Sequence, residues 1–204
     1  MSDNRIFFTG GAAALASIVV AGFIYSQMIG GAVAGEDGPG PNLLIEIAGQ
    51  ANGQIIIDLL PDSAPKHVAQ ITEIARTGGY NNVVFHRVID GFMAQTGDVK
   101  FGKAGSDLAQ AGTGSSDLPN IPAEFSALSF QRGVVGMARS NEPDSANSQF
   151  FIMFAPGEFL NGQYTVVGHV IEGMEVVDQI KRGDPDLGGA VVEPDRMVTV
   201  TVVE

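Results

Sequence analysis

The 204-residue chain has no cysteine, so it has no disulfide framework, thiol nucleophile or thiolate metal site. That absence does not name a compartment, because an exported protein can do without disulfides. Basic residues are scarce: 11 Lys+Arg stand against 23 Asp+Glu, a formal net charge of −12. An acidic surface repels phosphate backbones and anionic headgroups, which argues against nucleic-acid partners and leaves only hydrophobic routes to a membrane. The three histidines, His67, His86 and His169, are far apart and form no H-x₃-H pair, so no metal site is expected. No G-x-S-x-G elbow occurs. "GTGS" at 112–115 is too short for a phosphate loop, lacks its lysine, and reads as turn chemistry. No cofactor is implied.

Charge is also missing between Arg5 and Glu36. The run "IFFTGGAAALASIVVAGFIYSQMIGGAVA" would make a helix of about 45 Å at 1.5 Å per residue, long enough to cross a bilayer. Arg5 precedes it, and Ala32-Val33-Ala34 offers a small-x-small cleavage site. Residues 1–34 therefore read as a secretory signal peptide or an uncleaved transmembrane signal anchor. Either one places the remainder in the cell envelope on the periplasmic side, soluble or tethered to the inner membrane. "GEDGPGPN" (35–42) reads as a flexible linker.

What remains is rich in apolar residues and glycine and reads mainly as strands: 42–48, 53–60, 83–89, 92–97, 133–138, 149–154, 165–170 and 198–203. "PDSAPKHVAQITEIARTGGY" predicts a helix with Pro65 in its first turn, an apolar stripe of Val68, Ile71, Ile74 and Ala75, and a stop at Gly78-Gly79. A second helix is predicted over 173–182, with Met174, Val177 and Ile180 on one face. The expected fold is mainly β: a closed eight-stranded antiparallel barrel capped by two helices. Residues 99–132 are Gly/Ser-rich and read as a long loop, of the kind often kept for function.

Within this frame Arg87 is out of place. It sits in the apolar segment "VVFHRVID", with no carboxylate before Asp90. Period-two alternation puts it on one side with Phe85 and Ile89, and His86 and Val88 on the other. A lone arginine at a sheet edge usually snorkels to solvent. Here Phe92, Met93 and Gln95 follow at once, Gln149 and Phe151 come from another strand, and Phe159, Leu160 and Tyr164 from "GEFLNGQY". The set makes an apolar pocket with one cation and a few amides, without nucleophile or proton acceptor. Such a site suits a reaction that makes and breaks no covalent bond. A hollow small-ligand barrel is the competing reading, but the bulky inward residues argue for a filled interior.

"FHRVIDGFMAQTGD", "MARSNEPDSANSQFFI" and "LNGQYTVVGHVIEGMEVVDQI" resemble the cyclophilin-type peptidyl-prolyl cis-trans isomerases of the bacterial branch, over about residues 43–203. The resemblance implies a barrel domain over 43–204 that accelerates rotation about X-Pro bonds and assists folding of exported proteins. Its catalytic arginine falls on Arg87, with Phe92 and Gln95 beside it. Its substrate contacts fall on Met93, Ala138, Arg139, Gln149, Phe151, Phe159, Leu160 and Tyr164, with the backbone at Ala138 and Arg139 pairing with the substrate peptide. The expected partners are proline-containing polypeptides, and the expected state is a monomer. Two positions depart from many members: Phe159 replaces a tryptophan and Tyr164 a histidine. The loop "RSNEPDSAN" is one residue longer than the common eukaryotic version. A module that holds proline segments with little turnover is the alternative.

Overall fold

A computed structural model of the chain describes residues 35–203; the expected leader lies outside the described residues. Alternating inward residues form the first hairpin, with Asp58 also buried near its end. β1 (Asn42–Ala48) and β2 (Gly53–Leu59) pair antiparallel, with Leu43, Ile45 and Ile47 turned inward against Ile55, Ile57 and Leu59. The chain before β1 is laid along its neighbours: Gly38 N–H donates to Asp58 at 3.2 Å, and Leu59 N–H to Pro41 O at 3.1 Å. Seven more strands follow: β3 (Val83–Val84), β4 (Arg87–Ile89), β5 (Met93–Thr96), β6 (Val134–Met137), β7 (Phe150–Met153), β8 (Val166–Glu172) and β9 (Arg196–Val203). All join one antiparallel sheet in the order β3-β9-β1-β2-β8-β6-β7-β5-β4.

The closed eight-stranded barrel is thereby corrected to a curled sheet of nine strands whose outer members are β3 and β4. The cause is the segment 83–89, which breaks at Phe85-His86 instead of running as one strand. Before the break Val83 and Val84 pair with β9; after it Arg87–Ile89 pair with β5. Loops take over the ladder around the break: Val84 N–H donates to Gly102 O, Phe85 N–H to Asp195 O, Val88 N–H to Gly189 O, and Val191 N–H to His86 O. The two outer strands are thus one piece of chain, joined covalently rather than by hydrogen bonds. The break also corrects the expected alternation. Phe85 does not share a side with Arg87; Phe85 and Val88, three apart, both lie in the main core, while Ile89 packs on a second cluster.

Helix α1 (Pro65–Arg76) buries the expected stripe of Val68, Ile71, Ile74 and Ala75. Its N-terminus lacks a cap of its own and takes Glu124 from the long loop, which accepts the N–H groups of Lys66 and His67 and the His67 ring at 2.6 Å. Helix α2 covers only Met174–Val177, a correction to the expected 173–182. Beyond Val177 the bonds tighten to three-residue spacing, Gln179 N–H to Val176 O and Ile180 N–H to Val177 O, as the chain turns to bury Ile180. Residues 99–132 hold neither strand nor helix, as expected. Side chains pin this loop down. Lys103 Nζ donates to Gly79 O and Asn81 O at 2.6 and 2.7 Å, and buried Asp98 gathers four N–H groups. Among the described residues no helix is long and apolar enough to cross a membrane.

Candidate active site

The β4–β5 hairpin turns at Asp90-Gly91, where Gly91 takes φ +68°, a conformation that favours glycine. This tight return sets Arg87 opposite Gln95 and Ile89 opposite Met93. Phe151 lies beside Gln95 on β7, and the end of β6 brings Ala138 and Arg139. A single 3₁₀ turn, Glu158–Leu160, delivers Phe159 and Leu160, with Tyr164 just beyond. Arg87, Phe92, Met93, Gln95, Ala138, Arg139, Phe151, Phe159, Leu160 and Tyr164 line one cavity of about 260 Å³. Gln149 lines an adjoining polar cavity of about 400 Å³ that shares Gln95, Ala138 and Arg139.

The cavity floor is apolar. Met93, Phe151 and Leu160 are buried, Phe130 stacks on Phe151 at 5.8 Å, and Tyr164 meets Phe151 edge-on at 5.9 Å. Gly136 makes this packing possible, because a Cβ there would lie 2.5 Å from both Phe130 and Phe151. Neither residue stands out in the sequence: Phe130 sits in an aperiodic loop, and Gly136 resembles any other strand glycine. At the rim Phe92 and Phe159 pair at 5.5 Å, with Phe159 left 65% exposed.

The polar side is a chain of bonds with one direction. Arg87 Nε donates to Gly188 O at 3.0 Å and Nη1 to Gln95 Oε1 at 3.2 Å. Gln95 Nε2 donates to Gln149 Oε1 at 3.0 Å, and Gln149 Nε2 to Gly112 O and Gly114 O at 3.0 and 2.8 Å. Carbonyls only accept, so they fix which end of the Gln149 amide faces them. That in turn fixes the Gln95 amide and leaves an oxygen for the guanidinium. Asp98 anchors the far end, its Oδ2 accepting the N–H groups of Gly112 and Gly114 at 2.7 and 2.9 Å. The "GTGS" turn is therefore also the footing of Arg87. Asp98 and Gly188 carry no local signal beyond a Gly-Asp strand end and a Gly-Gly turn. Arg87 has no carboxylate partner among the described residues.

Arg139 is placed at the rim, but most of its donors are used internally. Nε and Nη2 reach Gln163 O at 3.1 and 3.0 Å, Nη1 reaches Ser140 O at 2.9 Å, and the guanidinium covers the Tyr164 ring at 4.4 Å. The side chain thus holds Tyr164 in place.

A pocket of this make-up, on this sheet, has relatives. The family model described as "Cyclophilin type peptidyl-prolyl cis-trans isomerase/CLD" matches residues 43–202. The chain belongs to this family. A probable peptidyl-prolyl cis-trans isomerase of Brucella suis is 60% identical over 153 residues, covering 74% of this chain and 78% of that protein. A solved cyclophilin of Hirschia baltica superposes with TM-score 0.65 at 27% identity, over 78% of this chain and 73% of the other. A cyclophilin-type isomerase of Cryptosporidium parvum, crystallised in the presence of the dipeptide Ala-Pro, gives TM-score 0.67 at 23% identity, over 80% and 99%. This chain is accordingly a peptidyl-prolyl cis-trans isomerase, and the pocket around Arg87 is the place in this cyclophilin domain to look for its chemistry.

Proposed function

We propose that the cavity around Arg87 receives the proline of an X-Pro segment and that Arg87 stabilises the twisted amide. Resonance opposes that twist by about 18–20 kcal/mol, although for X-Pro the two planar forms differ by only about 0.5–1 kcal/mol. Twisting returns a localised lone pair to the proline nitrogen and makes it a hydrogen-bond acceptor. A guanidinium offers only donors and keeps its charge. Aimed at that nitrogen, it binds the twisted form better than either planar one, which is the condition for catalysis. A 10⁵-fold acceleration requires about 6.8 kcal/mol of such preference. One charge-assisted hydrogen bond provides about 1.5–3 kcal/mol, so the pocket must contribute the rest. Phe92, Met93, Phe151 and Leu160 grip the ring while the preceding carbonyl swings. The backbone at Ala138 and Arg139 aligns the peptide.

The observation that carries this reading is the guanidinium held by Gly188 O and Gln95 over an apolar cavity, with no carboxylate to neutralise it among the described residues. The Ala-Pro dipeptide present with the Cryptosporidium relative agrees with a proline-sized pocket. We further read the clients as exported proteins, met on the periplasmic side of the cell envelope by a monomer that is released or membrane-held according to the fate of residues 1–34. A protease-coupled assay on a cis-proline tetrapeptide tests the mechanism. Arg87→Ala should lower kcat/KM at least about tenfold in a folded protein, equivalent to about 1.4 kcal/mol. Arg87→Lys should also be impaired, since an ammonium lacks the planar fork. Near-wild-type turnover in folded Arg87→Ala would remove Arg87 from the reaction.

A further inference from the structure

His86 lies in the break between β3 and β4, directly behind the bonded arm that holds Arg87. The residue is 8% exposed, and neither Nδ1 nor Nε2 has a hydrogen-bond partner among the described residues. A buried imidazole with both nitrogens unmet is an expensive filler, and an apolar ring would serve packing better. What it packs against explains its position. A Cβ on Gly112 would stand 3.0 Å from His86 Cδ2 and 3.1 Å from Nε2, so the ring edge is wedged against the Gly112 backbone. Gly112, at φ +94°, gives its N–H to Asp98 and its carbonyl to Gln149.

We propose that His86 is a positioning residue whose neutral ring wedges Gly112 in place, and that its protonation dismantles the Gln149–Gln95–Arg87 arm and lowers isomerase activity in acid. The proposal rests on the reading of Arg87 given above. Two charged groups face the ring: Asp98, at the loop following β5, and Arg87, on β4. The Val84 carbonyl and the Gln149 side chain are its uncharged polar neighbours; both favour the protonated ring, although neither meets the neutral ring within hydrogen-bond geometry. Val84 O already accepts from Thr96 Oγ1 at 2.9 Å. Burial holds the His86 pKa below its ordinary 6.5; the Asp98 charge pulls it up, and the Arg87 charge pushes it further down.

A second proton gives the ring two N–H donors and a positive charge, and the acceptors beside it are already engaged: Val84 O takes Thr96 Oγ1 and Gln149 Oε1 takes Gln95 Nε2, so a bond from the ring to Gln149 competes with the arm itself. The nearby anion is Asp98, whose Oδ2 holds the Gly112 and Gly114 amides. Drawing that carboxylate toward the ring loosens both amides, and with them the two carbonyls that orient Gln149. The imidazolium also repels the adjacent guanidinium. Activity therefore falls as pH drops through the depressed His86 pKa, while the main core, which the arm does not support, stays folded.

The test uses full-length protein, wild type and His86→Gln, with kcat/KM and the Gly112 amide resonance followed from about pH 7 to about pH 4.5. Wild type should lose about fivefold or more in kcat/KM, with the Gly112 amide titrating at the same midpoint and the far-ultraviolet circular dichroism unchanged. In His86→Gln the ratio of rates at the two ends should stay within about twofold, whatever its absolute rate. An acid limb retained in His86→Gln, or a wild-type rate that stays flat, overturns the proposal. Unfolding of the wild type in this range before Gly112 titrates also overturns it. Arg87→Ala at neutral pH separates the two ideas: full activity there defeats the mechanism of Arg87, whereas a missing acid limb defeats only the role of His86.

Discussion

Replacing Gln149 by leucine would test whether the amide arm orients Arg87 or merely fills space. Leucine is one atom shorter, keeps comparable bulk and removes both polar ends. It strips the donor from Gly112 O and Gly114 O and the acceptor from Gln95 Nε2. Only the guanidinium then decides which end of the Gln95 amide faces it, and the Gln95 side chain is left free to swing out of reach. The bond at stake joins a charged donor to Gln95 Oε1 at 3.2 Å. Bonds to charged groups are worth about 1.5–3 kcal/mol, or roughly 10- to 150-fold in rate. The bond is partly exposed and its length is at the long end, so the low end applies: about tenfold in kcat/KM. Coupled-assay rates for Gln149→Leu, Gln95→Leu and the double variant make the decisive cycle. Gln95→Leu already severs the arm, so adding Gln149→Leu should cost little more. Independent, multiplying losses would refute the arm, as would a Gln149→Leu rate within about twofold of wild type.

Three other outcomes follow from particular contacts. Gly136→Ala puts a methyl 2.5 Å from Phe130 and Phe151, and should cost about 1–3 kcal/mol of stability while raising KM, checked by thermal melts and steady-state rates. Glu124 is pushed toward a higher pKa by burial. Its bonds to the His67 ring and to the His67 and Lys66 amides outweigh this and hold it below the ordinary 4.5. The stability it gives should be complete above about pH 4.5 and lost as pH falls through the depressed value, and Glu124→Gln should remove that part of the acid dependence of Tm. Exposed Phe159 offers no donor where many cyclophilins present an indole, so cyclosporin should bind weakly and Phe159→Trp should tighten it by roughly 1 kcal/mol with little change in peptide turnover. Tight binding to the wild type, read by titration, would contradict that placement.

The sequence was most legible where one period ran undisturbed. Leu43, Ile45 and Ile47 on β1, and Val68, Ile71 and Ile74 on α1, face the core as their spacing predicts. It was misleading at Phe85-His86, where the backbone is captured by Gly102, Gly189, Val191 and Asp195, all remote in sequence. No local pattern encodes such capture, so one strand became two and Phe85 turned to the other side. The pocket residues are legible through family motifs. Their supports are not, because Phe130, Asp98 and the Gly112, Gly114 and Gly188 carbonyls act through backbone or through ring stacking that spacing cannot reveal.

The covalent join between the two outer strands also orders events in time. Arg87 is fixed on one side by Gly188, 101 residues further on, and the segment before it waits for β9, the last strand of the sheet. Contacts of such separation form late, after the intervening chain has been closed into a loop. A nascent chain that has emerged only through β8 carries every pocket side chain yet lacks the carbonyl that aims the guanidinium. The isomerase site is thus completed only when the C-terminal end arrives, and truncation before residue 188 should leave a chain that holds the motif without the activity in the coupled assay.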